Sequence, residues 1–136
     1  MIKIIIDATD APLGRVASLA AKQALLGKDI IITNCNSVII SGDKYAIIQK
    51  YKDSRARGGT SLRGPNFPRN PERIVKRAIR GMLQYKQGRG RTALKKVMCY
   101  NEIPHEYKDS KKITMPKEFK IKTITLKELS ERIWTK

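Results

Sequence analysis

Acidic residues are scarce in this sequence. Twelve aspartates and glutamates stand against 29 lysines and arginines, so the formal net charge of the 136 residues is +17. A folded chain with that excess repels itself unless a polyanion neutralises it. The imbalance disfavours a protein without a partner. It indicates a nucleic acid as the first candidate partner and an acidic membrane surface as the second.

Cysteine and histidine are nearly absent. Cys35 and Cys99 lie 64 positions apart, no C-x-x-C pair occurs, and His105 is the single histidine. A disulfide framework or a structural zinc site needs more such residues at closer spacing. We therefore predict two buried, reduced thiols, no metal site and no cofactor.

Long apolar runs and a signal peptide are missing too. No stretch approaches the roughly 18 residues that a membrane-spanning helix needs, and the opening residues MIKIIIDATD contain no signal-peptide pattern. We expect a cytoplasmic protein that does not use a membrane. Because 40% of the residues are hydrophobic, the chain can still bury the core of one domain.

The N-terminal residues predict a strand followed by a helix. Residues 2–6 are mostly isoleucine, which is typical of a strand buried on both faces of a sheet. Apolar residues then recur at helical spacing over residues 13–24, where Asp10 can cap the helix, Pro12 fits its first turn and Gly27 ends it. This pair of elements opens an α/β fold.

Three further strands are predicted, at residues 30–33, 37–40 and 97–100. The first two are separated by turn residues 34–36, and they could pair as a hairpin, which would make the sheet mixed. A short basic helix is expected at residues 45–51. We therefore predict an α/β fold with a mixed, mostly parallel central sheet of about four strands.

The middle of the chain predicts a long basic loop followed by a helix. Hydrophobic periodicity is lost over residues 53–70, and loops of that length are usually functional. Order returns with Asn70 as the cap of a helix over residues 71–83 and Pro71 at its first position. A second loop is expected at residues 87–91.

The C-terminal part of the sequence is rich in lysine, whereas the middle is rich in arginine. A short helical piece is expected at residues 93–96, and residues 108–122 are rich in lysine. Thr125 and Glu128 then have the spacing of a capping box, which predicts a short terminal helix.

Arginine is concentrated in one window. Residues 55–91 hold nine of the eleven arginines but only one acid, Glu72. Arginine offers phosphate a planar fork and stacks on bases, and the glycines of the window let the main chain approach a sugar–phosphate backbone. Since its aromatic residues are few, the window does not predict a platform that stacks single-stranded bases. It favours recognition of the backbone and shape of folded RNA.

The predicted helix over residues 71–83 has two different faces. Its apolar residues form one stripe, and Arg73, Lys76, Arg77 and Arg80 lie on the other side. Cations on adjacent turns are about 5.4 Å apart, so such a row can meet successive phosphates of a nucleic acid.

The sequence leaves two other function classes open. Asp7 ends the first predicted strand and, with Asp10, could hold Mg²⁺ in a small α/β enzyme. The alternative is that Asp10 only caps the helix and that Asp7 bonds to backbone or to Arg15. No phosphate-binding loop and no second acidic or histidine cluster support catalysis. A free regulator that binds messenger RNA or DNA is the other class.

Several motifs together resemble one family. IDATDAPLGRVAS, SGDK, NPERIVKRAIRGML, KQGRGRTALKKV and IPHEY occur in order between about residues 4 and 107. They are similar to the large-subunit ribosomal protein L13 family, in its archaeal and eukaryotic branch. The resemblance implies a three-layer α/β/α domain over residues 1–107 that binds large-subunit ribosomal RNA without enzymatic activity, followed by a basic extension over residues 108–136.

The resemblance also assigns positions to the RNA surface. It implies that the Leu13-Gly14-Arg15 turn sets the first helix and that the block from Arg77 to Lys95 lines the RNA. Neighbouring large-subunit proteins are further expected partners inside the cytoplasmic ribosome, and no homo-oligomer is expected. The full set of predicted RNA-binding residues is Arg15, Lys44, Arg55, Arg57, Gly58, Gly59, Arg63, Arg69, Arg73, Lys76, Arg77, Arg80, Lys86, Arg89, Gly90, Arg91, Lys95 and Lys96.

Overall fold

Six strands and five helices make up the part of the chain that the computed structural model describes, which is residues 3–56, 68–114 and 122–134. Single 3-10 turns occur at Cys35–Ser37 and His105–Tyr107. The strands and helices follow in the order β1 (Lys3–Asp7), α1 (Leu13–Leu25), β2 (Asp29–Thr33), β3 (Ile39–Ser41), α2 (Lys44–Ala56), α3 (Pro71–Met82), α4 (Gly88–Lys95), β4 (Val97–Cys99), β5 (Ile113–Thr114), β6 (Thr123–Thr125) and α5 (Leu126–Trp134).

A four-stranded parallel sheet with the order β4-β2-β1-β5 forms the centre of the fold. β1 lies between β2 and β5, and β2 lies between β1 and β4. The α/β class and the mostly parallel sheet are therefore confirmed. The predicted hairpin between β2 and β3 is wrong, because parallel partners occupy both edges of β2. Instead β3 pairs antiparallel with β6 in a separate two-stranded sheet.

The connections between strands explain the layers. Crossovers between parallel strands are almost always right-handed. The crossovers from β1 to β2 and from β2 to β4 advance in one direction, and α1 packs against both α3 and α4, so these helices lie together. The connection from β4 to β5 runs the other way, and by the same rule we expect residues 100–112 on the opposite face of the sheet. This arrangement is consistent with the predicted three-layer α/β/α fold.

The start of α1 differs from the sequence expectation. Pro12, not Asp10, is the N-cap residue, and it also forms a parallel bridge with Ile39. Asp10 has a φ of 55°, which takes it out of the helical path before α1 begins. The predicted stop is confirmed, since Gly27 has a φ of 91° and its N–H donates to the Ala24 carbonyl at 3.0 Å.

The main core lies between the sheet and the helices. Ile6, Ile30 and Ile32 of the sheet are fully buried, and the small residues of α1, such as Ala17 and Ala20, let that helix approach closely. The interior faces of α3 and α5 complete the same cluster.

Two elements after residue 107 belong to the same fold. β5 adds a strand to the main sheet beside β1, and Leu126, Leu129 and Ile133 of α5 are buried in the main cluster. The Glu128 N–H donates to the Thr125 Oγ1 at 3.3 Å, which confirms the predicted cap of α5. β5 and α5 are thus part of the packed fold.

Both predicted loops are partly helical. α2 continues through Ala56, so the first four residues of the loop expected over 53–70 are helical, and residues 57–67 lie outside the described residues. α4 begins at Gly88, so the second loop, expected at residues 87–91, is also wrong. Glycine lowers helix propensity by only about 1 kcal/mol, and packing of Gly90 and Ala93 in the interior overcomes that cost.

The two cysteines are reduced thiols. Cys35 is buried, as predicted, and Cys99 is only half-buried. A hydrogen bond with Cys99 and burial together raise the pKa of Cys35, so the thiol stays protonated. Among the described helices, none combines the length and apolar character that crossing a bilayer requires.

Candidate nucleic-acid interface

α3 begins as its sequence predicts, but its cap comes from another element. Asn70 is the N-cap residue and Pro71 the first helical residue, yet the Asn70 side chain makes no capping hydrogen bond. The Glu72 N–H is instead bound by the Asn101 Oδ1 at 3.0 Å. This contact ties the start of α3 to the segment that follows β4.

The two faces of α3 are separated as expected. Ile74, Val75 and Ile79 are 4%, 0% and 0% exposed and pack in the core. Arg73 is exposed, and Lys76, Arg77 and Arg80 are half-buried along the outer side. Half-burial restricts these long side chains, so less conformational entropy is lost when they bind an anion. One residue of the predicted apolar stripe lies outside the core, since Met82 is 48% exposed.

Arg80 is held against an aromatic ring. Its guanidinium carbon lies 4.8 Å from the centre of the Tyr85 ring, a cation–π contact. The contact leaves the edge of the planar guanidinium, where its N–H groups are, available to phosphate. Tyr85 therefore positions a cation and does not itself present a stacking platform.

α4 adds a second set of cations. Arg89, Arg91 and Lys95 are exposed on α4, and Gly90 between them is buried. A Cβ at Gly90 would lie 2.0 Å from the Gln84 carbonyl oxygen, so a side chain cannot fit. Gly90 thus packs against the turn between α3 and α4, and its predicted role in lining RNA stays a prediction.

Residues 69–96, the basic segment, run through α3, the turn and α4. This stretch contains ten lysines and arginines and one acid, Glu72. Within the described residues, Arg73, Arg89 and Arg91 form no ion pair with a carboxylate. Their charge is therefore not neutralised inside the part of the fold that is described, and an external anion can take that place.

The other predicted RNA-binding residues that the structure describes lie on several different elements. Arg15 is exposed in the first turn of α1, Lys86 is exposed in the turn before α4, and Arg69 is half-buried just before α3. Lys44 forms an ion pair with Glu128 of α5, and Lys96 donates to the Gly27 carbonyl at 3.3 Å.

Five of the predicted residues have no described side chain. Arg55 lies in α2, but its side chain is not described. The predictions that fall outside the described residues are Arg57, Gly58, Gly59 and Arg63.

The Asp7 carboxylate is engaged within the fold. Its Oδ1 accepts hydrogen bonds from the Thr9 N–H at 3.1 Å, the Thr9 hydroxyl at 2.6 Å and the Asn34 Nδ2 at 2.9 Å. Burial alone would raise the pKa of Asp7, but these hydrogen bonds, with a smaller contribution from Lys112, outweigh burial and lower the pKa. The predicted local bond of Asp7 to backbone is confirmed. No cluster of three metal-ligating side chains occurs in the described ranges.

Replacing Asp7 with asparagine is expected to lower the free energy of unfolding by about 1 kcal/mol at pH 7, because charge-assisted hydrogen bonds become neutral ones. Since the folded-state pKa is lowered, the carboxylate stabilises the fold above its unfolded pKa and loses that effect as the pH falls through the folded pKa. Denaturant unfolding from pH 7 to pH 2 should show the two proteins converging in acid. A stability difference that grows in acid would contradict this assignment.

Sequence reasoning missed a cavity of about 260 Å³ between α1, α2 and α3. Leu13, Tyr51 and Ile74 are among its lining residues, and they come from three distant parts of the sequence. Burial raises the pKa of Tyr51, so its hydroxyl stays protonated. The helical spacing of Tyr51 pointed only to one side of a short basic helix, and nothing in the sequence brings the three helices together at this place.

Comparisons with known proteins match the sequence of this chain to one family. The family model described as Ribosomal protein L13 matches residues 2–106. A protein of Methanosarcina barkeri called large ribosomal subunit protein uL13 is 46% identical over 112 residues, which cover 82% of this chain and 79% of the relative. Proteins of the same name from Methanocaldococcus jannaschii and Methanococcoides burtonii are 42% and 37% identical, and each alignment covers 97% of this chain and 98% of the relative.

Proposed function

Because the chain belongs to the ribosomal protein L13 family, we propose that it is a structural constituent of the large ribosomal subunit. In this role it binds folded large-subunit ribosomal RNA and stabilises that fold during assembly, and no covalent bond is made or broken. Other large-subunit proteins would be its neighbours, and the cytoplasmic ribosome would be its location.

One structural observation in this chain supports the proposal independently of the family match. The basic segment presents its cations on two consecutive helices that the core holds in place, and Arg73, Arg89 and Arg91 have no carboxylate partner among the described residues. Arginine can bind phosphate through two parallel hydrogen bonds, which adds geometric selectivity to charge. A rigid pair of helices that presents such groups can recognise the arrangement of phosphates in folded RNA.

The proposed mechanism has two parts. Each cation that contacts a phosphate releases condensed counterions, and about six contacts give a log–log salt slope of roughly −4 to −5. The fold then restricts which phosphates can be reached together, so RNA segments that bring them into place are stabilised. The sheet and core supply the rigidity and need no catalytic group.

Sedimentation tests this function directly. Cell extract is fractionated on a sucrose gradient, and the protein is followed with an antibody. We expect the chain to sediment with large subunits and to leave them at high salt. A protein that stays near the top of the gradient, as a small enzyme or a free regulator would, contradicts the proposal.

A further inference from the structure

The cavity between α1, α2 and α3 lies beside the basic segment. Its apolar walls come from Leu13, Pro68, Ile74, Ala78 and the Tyr51 ring. Ile74 is buried in the core and Tyr51 and Ala78 pack against it, so the walls are held by the same interior that fixes α3.

The size of the cavity limits its occupant. A volume of about 260 Å³ is just below the roughly 300–1,000 Å³ of pockets that enclose drug-sized ligands. One planar ring system fits such a space, and a large aromatic cofactor does not. Because the walls are mainly apolar, burying a flat ring there is favourable.

The charges around the cavity select the kind of ring. Lys50 of α2 and Arg77 of α3 are both lining residues, and none of the described lining residues is acidic. An uncharged apolar ligand would not be complementary in charge to these two cations. A nucleotide combines a planar base with an anionic phosphate, and it is complementary to both the walls and the cations.

Two hydroxyl groups add hydrogen-bonding capacity. The Ser54 hydroxyl donates to the Lys50 carbonyl at 2.9 Å, so its oxygen can still accept a hydrogen bond from a base amino group. Within the described residues, the Tyr51 hydroxyl makes no hydrogen bond, and it can donate one to a ring nitrogen or carbonyl. These groups suit the edge of a nucleobase.

We propose that this cavity binds one unstacked nucleobase of the ribosomal RNA, with the adjoining phosphate held by Lys50 and Arg77. The inference rests on the proposed function, since it takes the RNA as the partner. It adds a base-recognition site to an interface otherwise built on phosphate contacts. Such a site would add sequence information, which backbone contacts do not carry directly.

Filling the cavity tests the proposal without removing a charge. The variant Ala78→Leu places a larger apolar side chain at the cavity wall, and Ala46→Leu makes the same change at an exposed position of α2. We expect Ala78→Leu to weaken binding to in vitro transcribed large-subunit RNA about tenfold, the loss typical of one stacked base. The salt slope should stay unchanged because no phosphate contact is lost, and Ala46→Leu should bind like the unmodified chain.

Chemical probing of the RNA supplies the second readout. The unmodified protein should protect the base-pairing edge of one unpaired nucleotide, and Ala78→Leu should leave that nucleotide reactive while protecting the same backbone. If Ala78→Leu does not fold, Tyr51→Leu, which keeps an apolar wall but removes the ring, is expected to give the same two results.

The possible outcomes separate this inference from the proposed function. An unmodified protein that does not bind the RNA contradicts the function itself. An Ala78→Leu protein that binds normally and protects the same bases overturns the cavity proposal alone. A variant with lowered stability but unchanged RNA affinity and base protection also overturns it, because filling the cavity would then affect the fold and not the RNA contact.

Discussion

Replacing Arg73, Arg77 and Arg80 together with glutamine is expected to weaken binding to large-subunit RNA on the order of 100-fold at 0.15 M salt. Each arginine that contacts a phosphate contributes about 0.9 to the log–log salt slope, so the slope should flatten by about 2.7. Filter binding or fluorescence anisotropy over a range of salt concentrations measures both quantities. The slope separates lost phosphate contacts from other causes of weaker binding.

The fold should survive this triple substitution. The three side chains lie on the outer side of α3, whereas Ile74 and Ile79 on the inner side are buried. Losing the contact of Arg80 with Tyr85 should cost about 0.5–1 kcal/mol, as expected for a cation–π contact near the surface. An unfolded triple variant would contradict the assignment of the two faces.

A matched variant controls for net charge. Lys3, Lys122 and Lys127 are exposed and lie outside the basic segment, so changing all three to glutamine removes the same charge elsewhere. We expect a loss of affinity several times smaller than for the arginine variant and a smaller change in slope. Equal losses in the two variants would mean that only total charge matters, and the proposed interface would be wrong.

Replacing Gly90 with alanine is expected to lower the free energy of unfolding more than the other substitutions proposed for this chain. The added Cβ would lie 2.0 Å from the Gln84 carbonyl oxygen, so the turn or α4 must move. We expect about 2–3 kcal/mol of destabilisation, as in overpacked interiors, and a fall in Tm of roughly 10 °C. Thermal and denaturant unfolding measure the effect.

Gly81→Ala is the control for that substitution. Gly81 is also helical, and a Cβ there would meet nothing within 4 Å. The variant should be unchanged or more stable by about 0.5–1 kcal/mol, because alanine loses less backbone entropy on folding. If both variants have the Tm of the unmodified protein, the close approach of α4 to the turn does not occur in solution.

The elements with strong periodic patterns were predictable from the sequence. β1 and β2 are isoleucine-rich, and α3 carries clear start signals and separated faces. The weaker elements depend on tertiary contacts. β5 is a two-residue exposed strand in a lysine-rich stretch, and it forms because one edge of β1 is available for pairing. Ile113 and Thr114 each favour a strand, but a run of two such residues is too short to predict one from the sequence.

The helix at Gly88–Lys95 shows why local signals failed in the basic segment. Gly88 and Gly90 predicted a loop through their low helix propensity. In the fold, Gly90 is required because only a residue without a Cβ allows α4 to approach the turn. A glycine selected for close packing cannot be told from a loop glycine by composition alone.

The interface was predictable only in part, because some of its features depend on tertiary packing. The cations of α3 follow from helical periodicity along one short segment, and the structure confirms their separation from the core. The cavity needs Leu13, Tyr51 and Ile74 to meet, which requires the packing of three helices. The ion pair between Lys44 and Glu128 could not be predicted either, since the two residues lie far apart in sequence.

Inside the large subunit, the arginines of the basic segment should contact RNA phosphates. Protein–RNA crosslinking in purified large subunits, followed by mass spectrometry of the crosslinked peptides, measures these contacts. We expect peptides from residues 69–96 to carry nucleotides of large-subunit RNA. Subunits in which these peptides crosslink only to proteins, while peptides from other parts of this chain carry the RNA, would contradict this expectation.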